Sequence, residues 1–252
     1  MPFGPIKGLT YGNSLTLTAT YDQDYNPTNR TVSGSIFNHT YDTDDNGNIT
    51  QIGSWTYAYD GINRLKQQDD GTTTTDITYD SASNRLTWDD GTSVSYTIPS
   101  TSNKLSDVGS DSYTYDDSGN ITDDSTNTYS WNAAGNLATV NTTDGVYSYD
   151  WLHRRVKKVA GGSTTYYVYG QNGLLYGEYD SSGDFIREYV YLNGEPLAQI
   201  DAGSPDVLTY LHTDHLGAPR YGTNTDLKNL EIKLESAGAP YTPGRIQQKK
   251  KK

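Results

Sequence analysis

One short phrase recurs along this chain: Tyr-Asp, a few small or polar residues, Gly-Asn or Asn-Arg, and then an aliphatic residue. In one copy, Tyr59-Asp60 leads to Asn63-Arg64-Leu65. Further copies start at Tyr41, Tyr79, Tyr115 and Tyr149, and a degenerate copy starts at Trp131. Neighbouring copies mostly begin about 18–20 residues apart. A fixed period of this length indicates a repeat architecture, in which each unit is one supersecondary element that stacks on the next.

The phrase has the chemistry of a β-hairpin. Thr, Tyr, Val and Ile on either side favour strands, and the Asp, Gly and Asn between them favour turns. The sequence therefore predicts an all-β fold: a single curved or spiral antiparallel sheet of hairpins, with no helix longer than a couple of turns before Asp226.

The turns themselves have predicted residues. We expect the carboxylates of Asp42 and Asp116 to accept turn N–H groups. The pairs Gly47-Asn48, Gly119-Asn120 and Gly135-Asn136 should close turns, with each glycine at positive φ. The aliphatic residue after each turn should then point back into the core.

Tyrosine is the main packing residue of the chain. There are 23 Tyr but only 3 Phe, and 33% of the 252 residues are hydrophobic. A tyrosine ring buries a large apolar area while its hydroxyl can remain in water. The sequence divides into a linking strand segment at 1–20, a hairpin array at 21–160, a segment rich in strand formers at 161–225, and a non-repeat tail at 226–252 that we expect to be partly disordered.

Composition excludes several classes of function. The net charge of −12 argues against nucleic-acid binding by the chain as a whole. The absence of Cys excludes a disulfide framework. No apolar run is long enough to cross a membrane, and the first residues lack the basic and apolar regions of a signal peptide. If the protein is exported, we expect this to happen without a visible signal peptide.

The basic residues are sparse, and one cluster of them lies inside the array, at His153-Arg154-Arg155 and Lys157-Lys158. The cluster alternates with Val156 and Val159, so we interpret it as a polar strand face and not as a phosphate site. The chain has no Gly-x-Ser-x-Gly elbow to hold a nucleophile, and we expect neither a cofactor nor enzymatic activity.

After the array comes the segment Tyr-Leu-His-Thr-Asp-His-Leu-Gly-Ala-Pro-Arg at 210–220. The array and this segment together resemble the Rhs (rearrangement hot spot) or YD-repeat family, and 210–220 is similar to the start of its RHS-repeat-associated core. The resemblance covers about residues 2–225. The residues that carry the core motif are Tyr210, His212, Asp214, His215, Gly217, Pro219 and Arg220.

The resemblance implies a function. Repeats of this family form a hollow β-sheet shell that encloses a toxin domain or belongs to a larger cell-surface protein. The chain would then be a non-enzymatic encapsulating module of a secreted or cell-surface bacterial protein, walling off or presenting a partner polypeptide. The present array is shorter than a full shell, which favours a fragment of one.

Bacterial members of the family also carry an aspartyl self-cleaving segment after the core motif. Here the residues that follow Arg220 run straight into the tail without an Asp-Pro-x-Gly-type signature. A second alternative is therefore the remnant of a self-cleaving aspartyl protease shell, which has lost the segment that cleavage needs.

Two metal hypotheses follow from the residues alone. The stretch 42–49 matches the first positions of a calcium loop, but Gly53 replaces the bidentate Glu that closes such a loop. His212 and His215, with Asp214 between them, suggest a metal site. However, a three-residue separation places the two rings on different sides, and no third ligand is near in sequence. We expect turn structure at both places.

The remaining alternative is a glycan-binding or cell-surface-binding module. Trp55, Trp88 and Trp131 lie beside Asp, Thr or Asn and could stack on sugars and hydrogen-bond them. The competing interpretation places these rings in the hairpin core, because each has a large area to bury, and we favour it.

A short spiral of hairpins also leaves unpaired backbone groups at its first and last strands, and such edges recruit other chains. The segments that could cover them are residues 2–5 at one end and 227–234 at the other. We therefore expect the isolated chain to associate, edge to edge with itself or with a partner fragment.

Overall fold

The structure, a computed structural model, describes residues 5–225 and 229–230, and every regular element among these residues is a β-strand. The first hydrogen-bonded sheet has 12 strands. They are β1 (Gly8–Thr10), β2 (Thr16–Tyr21), β3 (Pro27–Val32), β4 (Phe37–Thr43), β5 (Ile49–Ile52), β6 (Trp55–Tyr59), β7 (Leu65–Asp69), β8 (Thr74–Tyr79), β9 (Arg85–Asp89), β10 (Ser93–Thr97), β11 (Asp107–Val108) and β12 (Asp111–Ser112).

A pair of short strands and a second large sheet of 11 strands follow. The pair is β13 (Thr114–Tyr115) and β14 (Ile121–Asp123). The second sheet contains β15 (Tyr129–Trp131), β16 (Leu137–Val140), β17 (Gly145–Tyr149), β18 (Arg155–Ala160), β19 (Ser163–Tyr169), β20 (Leu175–Tyr179), β21 (Phe185–Leu192), β22 (Glu195–Asp201), β23 (Val207–Thr213), β24 (Pro219–Thr223) and β25 (Asn229–Leu230).

Within each sheet, every strand pairs antiparallel with the next strand along the chain. The all-β prediction is confirmed, and no helix occurs in the part of the chain that the structure describes. One detail differs from the single sheet that we expected, because the ladder separates into three hydrogen-bonded groups.

The interruption lies around β13 and β14, where strands are only two or three residues long. A single isolated bridge, Asp123 with Thr128, leads from β14 towards β15. Between them, Asp124 Oδ1 accepts the N–H groups of Thr126 and Asn127 at 3.0 and 2.7 Å. Such local side-chain bonds compete with ladder bonds, which explains why the sheet breaks at this polar stretch.

The segment boundaries set by the sequence do not coincide with sheet boundaries. The boundary at 20/21 falls inside β2, and the second sheet runs through the boundary at 160/161. Beyond 225, β25 pairs with β24, through Gly222 with Leu230 and Thr223 with Asn229. The sheet therefore extends into the segment that we assigned to the tail, whereas the expected disorder of its other residues lies outside the described part of the chain.

The main core lies at the beginning of the chain and is shared with its far end. The buried residues of this core are Tyr11, Leu15, Leu17, Val32, Ile36 and Phe37. Leu197, Tyr210 and Tyr221 are partly buried and pack against them. The two ends of the array are therefore in contact, which brings the 210–220 motif against the first strands.

Candidate functional site: turns, seam and cavity face

The repeat turns share one geometry, shown by Asp60. Its Oδ1 accepts the backbone N–H groups of Ile62 and Arg64, both at 3.0 Å, and its Oδ2 accepts Arg64 Nε at 2.7 Å. The backbone closes the same loop, because the Asp60 N–H donates to Arg64 O at 2.9 Å and the Asn63 N–H donates to Asp60 O at 3.1 Å. One carboxylate thus organises the whole turn.

The third residue after the Asp or Asn that starts the turn has positive φ in these turns. Gly47, Gly119 and Gly135 have φ of 79°, 87° and 74°, as the sequence predicts. Asn63 and His153 take the same place with φ of 63° and 61°. The turn therefore forms without glycine, although a side chain with a Cβ is strained there.

One predicted turn residue is displaced. Asp42 lies in β4 opposite Gln51, and Asp44 accepts the turn N–H groups of Asn46 and Asn48 at 3.0 and 2.9 Å. We expected this role for Asp42, because Tyr41-Asp42 matches the phrase in letters. In other copies the register shifts at the tyrosine, for example between Ala58 and Tyr59, whereas here it shifts between Asp42 and Thr43, so the structural repeat starts two residues later.

The same bonds explain the electrostatics of the turns. The hydrogen bond from the Asn48 side chain lowers the pKa of Asp44, and that from the Asn120 side chain lowers the pKa of Asp116. The charged carboxylate is the better acceptor, so the turn stabilises it. In the stretch 42–49 considered for calcium, Asp42 lies in a strand and both oxygens of Asp44 accept N–H groups within the turn, which agrees with the turn structure that we expected.

The repeat tyrosines join each unit to the preceding one through their hydroxyl groups, which the sequence did not predict. Tyr59 donates to Ile49 O at 2.8 Å, and Tyr79 donates to Leu65 O at 2.7 Å. In the degenerate copy, Trp131 Nε1 donates to Ile121 O at 2.7 Å. The same bond links Tyr115 to Leu105, Tyr169 to Arg155 and Tyr191 to Leu175. A ring anchored at both its apolar body and its polar tip fixes the spacing between units.

The position opposite the repeat Tyr or Trp is apolar in most units, for example Leu65 opposite Tyr59. We expected the aliphatic residue after each turn to point into the core, which would be Leu86 and Val156 in two other units. The register instead places Arg85 opposite Tyr79 and Arg155 opposite Tyr149. Each turn has five residues, and the residue immediately after the fifth lies opposite the tyrosine. In these two units the aliphatic residue comes one position later, so its side chain points to the other face of the sheet.

We name the contact between the two ends of the array the seam: Tyr11 and β2–β4 on one side, β22–β24 on the other. The Phe37 and Tyr221 rings stack with centroids 5.5 Å apart. Tyr11 contacts Tyr210 and His212 edge-on at 6.2 and 4.5 Å. Aromatic pairs in these geometries add to the free energy gained by burying their area.

A buried arginine crosses the seam. Arg30 is 3% exposed, and it donates through Nε to Thr213 O and through Nη2 to Thr213 Oγ1, both at 2.7 Å. Glu195 lies 3.6 Å from the same guanidinium and compensates its charge. Because a buried charge without partners is costly, these bonds hold the two ends in one relative position.

The histidines of the core motif belong to the seam. His212 is fully buried, and its Nε2 lies 2.8 Å from Thr223 Oγ1. Burial lowers the pKa of His212 to about 4 and also lowers the pKa of His215, whose ring meets Tyr41 at 4.9 Å. Both rings are therefore neutral at pH 7. No group of three metal-binding side chains occurs among the described residues.

The rest of the motif is one more repeat turn. Asp214 Oδ1 accepts the N–H groups of Leu216 and Ala218 at 2.9 and 3.0 Å, and Gly217 has a φ of 76°. Arg220 Nε donates to Asp214 Oδ2 at 2.7 Å, as Arg64 does in its own turn. Pro219 begins β24 immediately after the turn.

Strand β23 separates the seam from a cavity. Tyr210 and His212 face the seam, whereas Leu211 between them lines the cavity, because side chains alternate along a strand. The cavity has a volume of about 510 Å³, and we name its lining, contributed by β18–β24, the cavity face. Residues on it include Arg155, Lys158, Tyr167, Tyr189, Gln199 and Leu211.

Two pairs of side chains on or beside the cavity face are hydrogen-bonded to each other, and one of them is an ion pair. Tyr189 donates its hydroxyl to Glu178 Oε1, and Arg187 Nε donates to Asp201 Oδ1, each at 2.5 Å. Burial and the bond to Glu178 raise the pKa of Tyr189. Tyr189 and Arg187 are thus each held in place by a carboxylate.

The tryptophans named for glycan binding belong to the wall of the sheet. Trp131 donates to Ile121 O, and Trp55 stacks on Tyr57 with ring centroids 6.5 Å apart. The Arg85 guanidinium lies 5.6 Å from the ring centre of Trp88. These contacts occupy at least one face or edge of each ring.

Comparison with known families matches the Teneurin YD-shell model to residues 28–234. The chain belongs to the teneurin YD-shell family. This confirms the resemblance to YD-repeat proteins that the repeated Tyr-Asp phrase and the 210–220 motif indicated. None of the described residues forms a helix long and apolar enough to cross a membrane.

The YD-shell chain is also similar to curated bacterial proteins. Over 148 residues, 53% of its length, it is 33% identical to the tRNA nuclease WapA of Bacillus subtilis strain 168. A tRNA3(Ser)-specific nuclease WapA of Bacillus spizizenii is 34% identical over the same length. The chain spans only 6% of either relative, so the likeness concerns a short part of each.

Solved structures show the same fold at low identity. A mutant of the Photorhabdus luminescens Tc holotoxin pore gives a TM-score of 0.67 at 17% identity, covering 88% of this chain and 14% of that one. The TcdB2–TccC3 crystal structure gives 0.65 at 16% identity, covering 88% and 15%. This YD-shell chain is thus similar in fold to a small part of these much longer chains.

Proposed function

We propose that the chain is a wall segment of a YD-repeat shell and that its role is structural. It walls off or presents a partner polypeptide and catalyses no reaction. The observation that carries this proposal is the bond that recurs from a repeat Tyr or Trp to a carbonyl of the preceding unit, for example from Tyr169 to Arg155 O. That bond makes successive hairpins into one continuous wall, with a cavity on one side.

Exclusion is the proposed mechanism. Strand N–H and C=O groups inside both large sheets are committed to neighbouring strands, except at the edge strands. A protease binds its substrate in extended form, so a paired ladder resists attack. A polypeptide on the cavity side of the wall would be protected from proteases and from premature contacts.

The relatives suggest what the partner is. The solved neighbours are parts of Tc toxin complexes, and the curated relatives are named as nucleases. Their names support a toxin polypeptide as the partner, and a secreted or cell-surface bacterial location. Both statements are proposals for this chain, since it spans only a small share of those proteins.

Site-specific photo-crosslinking tests the proposal in the cells that produce the protein. Benzoylphenylalanine replaces either Tyr167, on the cavity face, or Val168, which is 49% exposed on the opposite face of β19. We expect position 167 to give a crosslinked polypeptide and position 168 to give none. Equal capture at both positions, or capture only at 168, would contradict an enclosing wall.

A second element of the proposal concerns the sheet edge. Among the described residues β1 pairs only with β2, so its other edge has free backbone groups. Such an edge favours self-association or pairing with a preceding repeat. Sedimentation velocity across a concentration series should show a rising mass. A constant monomer mass would show that this edge is covered.

A further inference from the structure

We propose that the cavity face binds carboxylate side chains of an extended acidic polypeptide segment, and that Arg155 contacts them. The proposal rests on the proposed function, because the bound segment would belong to the partner that the wall encloses. It names the chemistry by which that partner is recognised.

The position of Arg155 in the repeat is the first observation. Arg155 pairs with Tyr149 across the turn, in the register that places Leu65 opposite Tyr59 and Leu137 opposite Trp131. A cation therefore replaces an aliphatic side chain on the inward face. Packing alone would favour the aliphatic residue, since burying part of a charge has a cost in free energy.

The surroundings of Arg155 are the second observation. Its guanidinium lies over the rings of Tyr147 and Tyr167, with centroid distances of 5.4 and 5.0 Å. Among the described residues it forms no ion pair, whereas Arg154 in the adjacent turn pairs with Asp150 at 2.7 Å. The two rings position the guanidinium, whose fork of N–H donors suits a planar acceptor such as a carboxylate.

Charge on the rest of the cavity face favours an anion. Arg155, Lys158 and Arg187 line the cavity together with Glu178, and Arg187 is paired with Asp201. The Tyr189 hydroxyl donates to Glu178 without cancelling its charge. Among the described residues, three cations and two carboxylates therefore lie on or beside this face, in a chain whose net charge is −12.

The size and the repetition of the site favour a polypeptide over a small anion. The cavity of about 510 Å³ is large enough for several side chains. Arg85 occupies the same repeat position as Arg155 and lines another depression of about 310 Å³, together with Tyr96. Cations repeated along one wall suit an extended chain with several carboxylates.

Peptide binding to the full chain tests this inference. The probes are fluorescein-labelled alternating peptides, (Glu-Gly)6, (Lys-Gly)6 and (Ser-Gly)6, followed by fluorescence anisotropy at low salt. The variants are Arg155→Leu, which restores the common repeat residue, and Arg155→Lys, which keeps the charge. The matched control is Lys157→Gln, because Lys157 lies over Tyr166 on another part of β18. Melting curves verify that each variant is folded.

We expect the glutamate peptide to bind and the other two to bind at least tenfold more weakly. Arg155→Leu should weaken binding at least fivefold, Arg155→Lys less than threefold, and Lys157→Gln less than twofold. In NMR spectra, the Arg155 Nε–H signal should shift on addition of the glutamate peptide and disappear in Arg155→Leu. Because the net charge opposes an acidic probe, binding would report the local site and not bulk attraction.

The inference is overturned if the glutamate peptide does not bind, or if Arg155→Leu and Lys157→Gln weaken its binding equally. It is also overturned if free acetate displaces the labelled peptide at the same carboxylate concentration as an unlabelled glutamate peptide does. The proposed function fails separately. If the glutamate peptide binds but residue 167 captures no polypeptide in cells, the cavity chemistry holds and the enclosing role does not.

Discussion

The seam and the middle of the array have the same secondary structure but are stabilised differently. The seam is buried and built from residues far apart in sequence, such as Arg30 and Thr213, which are separated by 183 positions. Along β5–β17 the buried hydrophobic residues are only Ile77 and Leu137, and neighbouring units are joined by tyrosine hydroxyls and turn bonds. Local repetition can therefore form a wall, while its anchoring depends on one non-local contact.

This difference predicts a hierarchy of stability. The burial of apolar area is the largest favourable contribution to folding, and it is concentrated at the seam. The hydrogen bonds of the middle contribute less each, because the unfolded chain makes equivalent bonds with water. Substitutions should therefore have large effects at the seam and smaller effects in the array.

The largest expected effect comes from the aromatic stack. Phe37 is 6% exposed and packs on Tyr221, so Phe37→Ala should lower the free energy of unfolding by about 3–5 kcal/mol. Trp55 in the array is 38% exposed, and Trp55→Ala should cost about 1 kcal/mol or less. Denaturant titration measures both. Equal losses would remove the distinction between the two regions.

Acid should open the seam before it affects the turns. His212 has a pKa of about 4 in the folded protein, below its ordinary value of 6.5, because of burial. The unfolded state binds the extra proton between these values, so stability is complete above pH 6.5 and falls by about 3 kcal/mol as the pH approaches 4. His212→Gln should flatten this part of the stability profile.

The turns respond at lower pH. The pKa of Asp44 and Asp116 is lowered from 3.8 by hydrogen bonds from Asn48 and Asn120, so their stabilisation is present above pH 3.8 and is lost below it. Hydrogen exchange of β2–β4 and of β13–β14, measured from pH 7 to 3, separates the pH range in which the seam loses stability from the lower range in which the turns do. Loss of protection in both regions over the same pH range would contradict this order.

A turn glycine in the array has an intermediate effect. Gly47, Gly119 and Gly135 are at positive φ, so replacing any of them with Val should destabilise the protein by about 1–2 kcal/mol through backbone strain. Gly61 is the matched control, because it lies in a turn, has ordinary φ, and would place an added Cβ in open space with no atom within 4 Å. Thermal melts should show a smaller shift for Gly61→Val, and unchanged melting temperatures for all three turn variants would argue against the turn geometry.

The smallest effect concerns single hydroxyl groups. Tyr169→Phe removes the bond to Arg155 O at 3.0 Å and should cost about 0.5–1.5 kcal/mol. The Tyr41 hydroxyl, at the seam, is buried without a hydrogen-bond partner among the described residues, so Tyr41→Phe should cost nothing or stabilise slightly. Chemical denaturation resolves this difference if both variants are measured beside the native chain.

The same comparison explains what sequence could predict. The hairpins, the turns and the positive φ of Gly47 follow from residues within one period, and they were predictable. The turn role of Asp44 was missed because Tyr41-Asp42 matches the repeated phrase in letters, whereas the bulge places the turn two residues later. Arg155 was missed because only the strand register shows which side chain faces inward.

No residue pattern within a single repeat unit predicts the seam. The contact of Tyr11 with His212 and the burial of Arg30 depend on how far the whole array curves, which accumulates over many units and is not encoded in one of them. The resemblance at 210–220 marked the right residues on one side of the seam. Nothing in the sequence marked the other side.

Native-state hydrogen exchange by mass spectrometry at rising denaturant concentration tests the central claim most directly. If the two ends of the array stabilise each other across the seam, β2–β4 and β22–β24 will open together, with the same free energy, and later than β6–β10. Opening of the two ends at different denaturant concentrations would contradict this coupling across the seam. Protection of β6–β10 equal to that of β2–β4 and β22–β24 would contradict it as well.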